Sequence, residues 1–525
     1  MKESIDENEL QTVTKLVPSK NRATFEEAIT ATKFGTFNII LMLIVIPAGW
    51  SSVFENTTMS YVFPSAECDL DLSLEDKGML NAIAYIGMMS SGFVWGYLCD
   101  SFGRRKLLFI GYFTDALLVM MSSLSQSFTF LIIAKFLGGM VINGPFAALT
   151  TYLTEVHCAK YRATVQMILG TVFSIAGVFL PLMANFILPA DIHFTLFDSL
   201  KIHPWNAFLL FAAFPPLLAG CGFFLLPESP KFLMTNGRNR EALEVFKLIY
   251  SLNTGKPKDS YPITKLVNEK SANQFESLGL LADVKQSTKQ KLADGFDGMK
   301  SLFVPPLVQK LVLTCTLQMF YMMSLNTLRL WIPQLFQAIN DYEYYNNGTS
   351  APLCTMLEVM KPKGINATKE CVVNTNNSQV YMNVMIISAT SVVGTMAAGY
   401  LINILGKKKM LFIIGIVSAS NSYSLYFATN TNITLILSSI YITVTGVGMI
   451  IMLSVIVELF PTNLRTMTIS LAMTVARFGA MLGNLLFPVL LKTGCAAPFF
   501  TMGSIVLSTS FLSLLLPNTD MIALT

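Results

Sequence analysis

Charged side chains are scarce in this sequence. Lys, Arg, Asp and Glu make up 13% of its 525 residues and apolar residues make up 53%, whereas a soluble globular protein carries about a quarter charged residues. Only three histidines occur. We find no Gly-rich nucleotide-binding loop, no His/Cys metal-ligand spacing and no nucleophile with a matching base. The sequence therefore predicts neither an enzyme nor a cofactor or metal site, and it offers nucleic acid no binding surface.

The apolar residues are instead concentrated in twelve runs, each long enough to cross a bilayer. A segment in lipid must satisfy its own backbone hydrogen bonds, so each run is predicted to be a helix. We refer to these runs as spans 1 to 12, and their predicted limits are 35–55, 78–98, 107–125, 128–153, 163–188, 205–226, 306–336, 381–404, 410–428, 432–456, 466–490 and 497–516.

The spans divide the chain into two halves of six. The predicted organisation is an N-terminal tail (1–34), a first bundle (35–226), a central loop with short helices (227–305), a second bundle (306–516) and a C-terminal tail (517–525). Within the central loop, a helix is predicted near 238–252. The tail 1–34 has no short apolar core with a cleavage site, so we expect span 1 to act as the insertion signal.

Two signals orient the chain. With a cytoplasmic N-terminus, 27 of the 36 basic residues lie on the cytoplasmic side, as the positive-inside rule requires. Glycosylation sequons then all fall outside, three of them in or beside a loop at 337–380, and they begin at Asn56, Asn347, Asn366, Asn376 and Asn432. The outer face is oxidising, so we expect a Cys354–Cys371 disulfide, with Cys68 as a competing partner. We expect Cys99, Cys158, Cys221 and Cys315 to pack as small apolar residues, and Cys495 is unassigned.

The second half repeats motifs of the first. GYLCDSFGRRK at 96–106 corresponds to GYLINILGKKK at 399–409, and EVHCAKYR at 155–162 corresponds to ELFPTNLR at 458–465. Such matches at equivalent places indicate an internal duplication. We predict that these motifs clamp neighbouring helices at the inner face, because glycines permit close approach and the charges can pair. The residues concerned are Gly96, Asp100, Gly103, Arg104, Arg105, Glu155, Arg162, Gly399, Gly406, Glu458 and Arg465.

The Gly96–Lys106 motif resembles the signature between helices 2 and 3 of the major facilitator superfamily, and the copy at Gly399 carries Asn403 where that family has Asp. The resemblance implies two six-helix bundles that rock around a central cavity. PESPKFLMTNGRNREAL at 227–243, GMLNAIAYIGMMSSGFVWG at 78–96 and WNAFLLFAAFPPLLAG at 205–220 are similar to the synaptic vesicle glycoprotein 2 branch. The chain differs from that branch in its shorter outer loop and in Asn206, where an Arg is expected.

Ionisable residues inside the membrane are costly and therefore mark functional candidates. Lys135 is either a structural partner of Asp115 or, as the resemblance implies, part of a coupling site together with it. Arg477 lies near the middle of span 11 and is a candidate ligand for an anionic substrate. Alternatively, it caps backbone carbonyls or pairs with Asp115. Arg329 is a second basic candidate for substrate binding; it lines the outer vestibule or extends to the membrane interface. The aromatic candidates are Tyr85, Tyr321 and Trp331.

The predicted function is that of a secondary transporter. It would carry a small, charged organic solute by alternating access, with protons as a possible coupling ion, and it is expected to be a monomer in the lipid bilayer of the plasma membrane or of an intracellular vesicle. The alternative is a transporter-fold glycoprotein that acts as a receptor or trafficking regulator. A sugar porter fits less well, because span 7 lacks paired glutamines.

Overall fold

All twelve predicted spans are helices in a computed structural model that describes residues 23–196, 200–267, 302–357 and 378–517. The fold class is therefore confirmed as an all-α membrane protein of two six-helix bundles. Within the described residues, ten of these helices are long and apolar enough to cross a membrane. The helices are Thr36–Ala66, Leu74–Phe102, Arg104–Ser123, Phe128–Glu155, Ala159–Ile187, Pro204–Ala212 with Phe214–Leu225 (together span 6), Leu307–Tyr345, Ser378–Leu405, Lys407–Tyr426, Thr431–Leu459, Thr462–Thr493 and Ala496–Ser513.

Span 1 is longer than predicted, and this changes the setting of one glycosylation site. The helix continues to Ala66, so Asn56 lies inside it rather than in an outer loop. The Asn56 amide is only partly exposed and donates to the Ser52 carbonyl at 2.8 Å. Glycosylation of Asn56 stays a prediction. Asn347 and Asn432 are exposed at outer helix ends, and Asn366 and Asn376 lie outside the described residues.

The two halves contact each other on the outer side of the membrane. Tyr85 of span 2 meets Asn326 of span 7, and Gly78 lies against the backbone of Asn484 in span 11. Three further contacts join the halves at their outer ends: Ser378 to Asn185, Lys492 to Glu75, and the ring of Tyr61 to that of Tyr381. The halves therefore close the outer side.

The inner parts of the same spans are less tightly packed. Gly96, Gly170 and Gly399 lie in the inner portions of spans 2, 5 and 8. A methyl group built on any of the three would meet no atom within 4 Å, leaving aside its own helix backbone and chain neighbours. The contacts between the halves described above therefore lie on the outer side, and these three positions in the inner portions have open surroundings.

A small cytoplasmic cluster covers the inner end of the first half. The helix Phe25–Ala31 packs on the helix Asn239–Thr254, which lies where the sequence predicts one, and on Tyr261 and Leu266. The longer helix is amphipathic, since its buried residues Ala242, Phe246, Ile249 and Tyr250 recur at helical spacing. Asn253 fastens this cluster to the membrane domain by accepting the amide of Phe37 at 2.9 Å.

The outer face contains a disulfide that differs from the predicted one. Cys354 pairs with Cys495 at the start of span 12, with a Cα–Cα distance of 5.5 Å. The predicted Cys354–Cys371 pair is therefore wrong, and Cys371 lies outside the described residues. The physical reason is proximity, because the backbone amide of Leu353 donates to Ala428 after span 9, and this holds Cys354 against the second bundle. Cys68 is also disulfide-bonded.

Candidate functional site

At the inner face of the first half, the segment after span 6 binds the turn between spans 2 and 3. Gly103 has a φ of +95°, which turns the chain into span 3. The Glu228 carboxylate accepts the backbone amides of Arg104 at 2.9 Å and Arg105 at 3.0 Å. These amides begin a helix and have no partner within it, so a carboxylate there both satisfies them and complements the helix dipole.

Glu155 completes this inner cluster. Its Oε2 lies 3.2 Å from Arg104 Nε and accepts the Ser229 hydroxyl at 2.5 Å. Of the pairings that the sequence allowed, the structure has the one between Glu155 and the Gly-Arg-Arg-Lys turn. Arg162 binds elsewhere, to Glu26 of the cytoplasmic cluster at 2.5 Å and to the Thr154 carbonyl at 2.9 Å.

The second half repeats this arrangement. Lys407, the counterpart of Arg104, pairs with Glu458, the counterpart of Glu155. Lys408 Nζ donates to the Leu516 carbonyl after span 12 at 2.7 Å. Its counterpart, Arg105, donates in the same way to Phe224 at the end of span 6, at 2.6 Å. Gly406 has a φ of +76°, like its counterpart Gly103.

The remaining predicted members of these motifs are Asp100, Arg465, Gly96 and Gly399, together with Asn403. The side chains of Asp100 and Asn403 are not among those described. Among the described residues, the Nε of Arg465 is buried without a hydrogen-bond partner. Gly96 and Gly399 lie in open surroundings, so a role for them in close helix packing stays a prediction.

His157 lies beside the inner cluster of the first half. Its ring is buried, and Nδ1 lies 2.8 Å from the Leu153 carbonyl. Burial lowers the pKa of His157 below its ordinary value of 6.5, and the nearby Arg162 guanidinium lowers it further, while the Leu153 carbonyl opposes the shift. The imidazole is therefore held neutral at physiological pH.

Within the membrane, Lys135 has a partner that the sequence did not predict. Its ammonium lies 3.0 Å from Glu55 Oε2 of span 1, and both side chains are almost fully buried. Gly138 makes room for this carboxylate, because a methyl group there would lie 2.5 Å from Glu55 Oε1. The predicted Lys135–Asp115 pair is thus replaced by Lys135–Glu55, which is in direct contact.

Asp115 lies close to this pair without bonding to it. It is 1% exposed, and neither of its carboxyl oxygens has a hydrogen-bond partner among the described residues. It is nevertheless in electrostatic range of both Glu55 and Lys135. The cluster therefore contains two carboxyl groups for one ammonium group, in surroundings that disfavour net charge.

The interface between the halves holds a second polar group. The Tyr85 hydroxyl donates to Asn326 Oδ1 at 3.0 Å, and the phenol is in electrostatic range of both Arg329 and Arg477. Arg329 reaches towards span 5, where a methyl group on Gly177 would lie 3.4 Å from its Nη2. Within the part of the chain that the structure describes, neither guanidinium has an ion-pair or hydrogen-bond partner.

The other two aromatic candidates lie apart from this group. Tyr321 is fully buried within the second half, where its hydroxyl faces the Leu411 carbonyl. Trp331 is fully buried as well and stacks on Phe487, with ring centroids 4.8 Å apart. Both side chains are buried, and a contact of either with a substrate stays a prediction.

Three important residues were not predicted: Glu55, Asn326 and Glu228. Glu55 stands at the predicted end of span 1, where a charged residue is expected at the membrane surface. The helix continues to Ala66, so Glu55 lies inside the helix and is buried. Asn326 lies three residues before Arg329 and so shares its helix face, which is a signal that the sequence did contain. Glu228 belongs to the PESPKFL segment, and nothing in its sequence position indicates that it caps span 3.

Comparison with known proteins agrees with this architecture. The family model of the Major Facilitator Superfamily matches residues 45–361 and 364–521. Synaptic vesicle glycoprotein 2A of Homo sapiens is 30% identical over 246 residues, which is 46% of this chain and 33% of that protein. Synaptic vesicle glycoprotein 2C of Mus musculus is 27% identical over 274 residues, or 51% and 38%. The matched region thus spans little more than a third of these curated relatives.

Solved structures share the fold. The inward-open conformation of the xylose transporter XylE from E. coli has a TM-score of 0.63 at 15% identity and covers 93% of this chain and 98% of its own. The partially occluded inward-open conformation of the same protein has a TM-score of 0.61 at 14% identity, with 91% and 99% covered. Because the family model covers both bundles and these transporters share their arrangement, the chain belongs to the major facilitator superfamily and is an integral, multi-pass membrane protein of a transporter family, not an enzyme.

Proposed function

We propose that this protein is a secondary transporter of a small organic anion. The observation that carries the proposal is the group at the interface of the halves, where the Tyr85 phenol lies in range of two guanidinium groups that have no partner among the described residues. Removing an arginine from water without a counter-ion is costly. An anionic solute with carboxylate or sulfate oxygens would supply that counter-ion, since arginine binds such groups through two hydrogen bonds.

The position of this group at the junction of the two halves supports a role in transport. Tyr85 belongs to the first half, Arg329 and Arg477 belong to the second, and Asn326 bonds to Tyr85 across the interface. In transporters built from repeated halves, solutes bind near the midplane at the junction of the halves. A solute held there would be released to one side or the other as the halves move.

We further propose that the Glu55–Lys135–Asp115 cluster couples transport to protons. Two carboxyl groups and one ammonium group can exchange a single proton between a neutral and a charged form of the cluster. Asp115, which has no hydrogen-bond partner among the described residues, is the group best placed to take up that proton. Its predicted coupling role is thereby retained, and Glu55 is added to the pair.

Uptake into proteoliposomes tests both proposals. The panel contains organic carboxylates, organic sulfonates, organic cations and neutral sugars, each with and without an inward proton gradient. We expect saturable uptake of an anion and a rise in KM of about 10- to 100-fold in Arg477→Ala and Arg329→Ala, the size of a lost charge-assisted contact. Asp115→Asn should remove the stimulation by the gradient.

The matched control is Arg238→Ala, which removes an exposed arginine of the cytoplasmic cluster. It should leave uptake unchanged. Uptake of a cation or sugar that is indifferent to Arg477→Ala would overturn the anion site while keeping transport. No uptake of any solute by correctly folded protein would overturn transport and favour the receptor or trafficking alternative.

A further inference from the structure

The outer face brings together two histidines that are ten residues apart in sequence. The strands Phe194–Leu196 and Leu200–Ile202 form an antiparallel pair in which Phe194 faces Ile202. The next pair in this register is His193 and His203, at the open end of the hairpin. Residues directly opposite each other on antiparallel strands have their Cβ atoms within about 5.5 Å, so the hairpin itself enforces the pairing.

The two rings face each other through the same nitrogen. His193 Nδ1 and His203 Nδ1 are 3.2 Å apart. A metal ion bound by two imidazole nitrogens at about 2.0–2.1 Å in tetrahedral geometry holds them about 3.3 Å apart. The observed separation therefore suits a shared metal ion as well as it suits a hydrogen bond.

Acidic residues lie beside both rings. Asp191 Oδ1 lies 3.6 Å from His193 Nε2, on the side of the ring away from the proposed ligand atom Nδ1. Asp69 Oδ2 lies 3.4 Å from His203 Nδ1 and accepts the indole N–H of Trp205 at 2.8 Å. The Asp191 carboxylate therefore lies behind the His193 ring, as carboxylates do behind histidine ligands of metal sites. The Asp69 carboxylate lies instead on the metal-facing side of His203, where it adds negative charge next to the ion.

We propose that His193 and His203 bind a transition-metal ion, with Zn²⁺ as the probe, at the outer face. The described residues contain no group of three or more His, Cys, Asp or Glu side chains arranged to hold a metal, so the protein supplies two nitrogen ligands and water completes the shell. Binding requires that Nδ1 of both rings carries no proton, because a metal ion and a proton compete for the same lone pair. The site joins the loop before span 2 to the hairpin before span 6.

Isothermal titration with Zn²⁺ tests the proposal on the full chain in nanodiscs. The protein is purified without a polyhistidine tag, stripped with a chelator and alkylated, so that its free cysteines cannot bind the ion. Empty nanodiscs provide the blank. We expect one zinc per chain and at least a tenfold loss of affinity in His193→Ala and in His203→Ala. Asp191→Asn, which leaves both ligands in place, should weaken binding by a smaller factor.

Asp71→Asn is the control, because it removes an exposed carboxylate near the site that contacts neither histidine. It should bind zinc like the unaltered chain. Equal melting temperatures without metal would establish that the histidine variants fold. The proposal is overturned if folded protein binds no zinc, or if zinc binding survives both histidine substitutions.

Discussion

Single residues show how the surroundings of a charge decide its role. Arg162 and Arg477 are both arginines on membrane helices. Arg162 is satisfied by Glu26 and by backbone carbonyls. Arg477 has no hydrogen-bond or ion-pair partner among the described residues and lies in electrostatic range of the Tyr85 phenol. Position in sequence does not distinguish these cases. The two arginines differ in whether a neighbouring element supplies a counter-charge, and tertiary packing determines which element that neighbour is.

The Lys135–Glu55 pair gives a prediction about stability. Lys135→Met should lower the melting temperature strongly, because breaking a buried ion pair from one side costs about 3–5 kcal/mol. The double variant Lys135→Met/Glu55→Gln should recover part of the loss, since no charge of the pair is then left alone. Scanning fluorimetry in detergent measures both. A double variant less stable than Lys135→Met would contradict the pairing.

His157 gives a prediction about pH. Its folded-state pKa is lowered, so the unfolded chain takes up the extra proton as the pH falls through the ordinary value of 6.5. The free energy of unfolding keeps the full contribution of the neutral His157 above pH 6.5. Below pH 6.5 this contribution declines by at most about 1.4 kcal/mol per pH unit, the limit for one proton. Melting temperatures at pH 8, 7 and 6 should show a slope that His157→Gln reduces. An unchanged slope would mean that His157 is not the titrating group.

At the scale of elements, the repeated motifs have the same contacts in both halves. Arg104–Glu155 corresponds to Lys407–Glu458, and the next basic residue of each motif binds the last carbonyls of the sixth helix of its own half. In the first half, Glu228 also caps span 3. Each motif therefore stiffens its own bundle, as a body that moves as a unit requires.

The Cys354–Cys495 disulfide should stabilise the second bundle at its outer face. The melting temperature should fall by the same amount in Cys354→Ser, in Cys495→Ser and in the double variant, because each change removes the same disulfide. In the presence of a reductant, the variants and the unaltered chain should melt at the same temperature. Cys315→Ser, which alters a free buried thiol, provides the control. Peptide mass spectrometry without reduction should recover the Cys354–Cys495 pair. Recovery of Cys354 joined to Cys371 would restore the prediction made from the sequence.

At the scale of the whole molecule, the sequence was sufficient for the architecture but not for the site. Runs of apolar residues and repeated motifs identify the twelve helices, because lipid leaves the backbone no alternative. They do not say which helices touch, and so Glu55 was not connected with Lys135, nor Cys354 with Cys495. Arg477 was identified because an ionisable residue deep in a span is unusual wherever its neighbours lie.

Alternating access makes a prediction about the outer contacts between the halves. Asn185 and Ser378 lie in different halves, and their side-chain oxygens are 2.8 Å apart. The double variant Asn185→Cys/Ser378→Cys should therefore form a disulfide under mild oxidation. This disulfide should stop transport until a reductant breaks it. A matched control joins two helices of one half: Ser418→Cys/Thr445→Cys alters hydroxyls 3.0 Å apart in spans 9 and 10, and its bond should leave transport unaffected. Anion uptake before oxidation, after oxidation and after reduction compares the two variants. Full uptake with the Asn185–Ser378 positions linked would mean that the halves do not separate there, and the rocking mechanism would have to be abandoned.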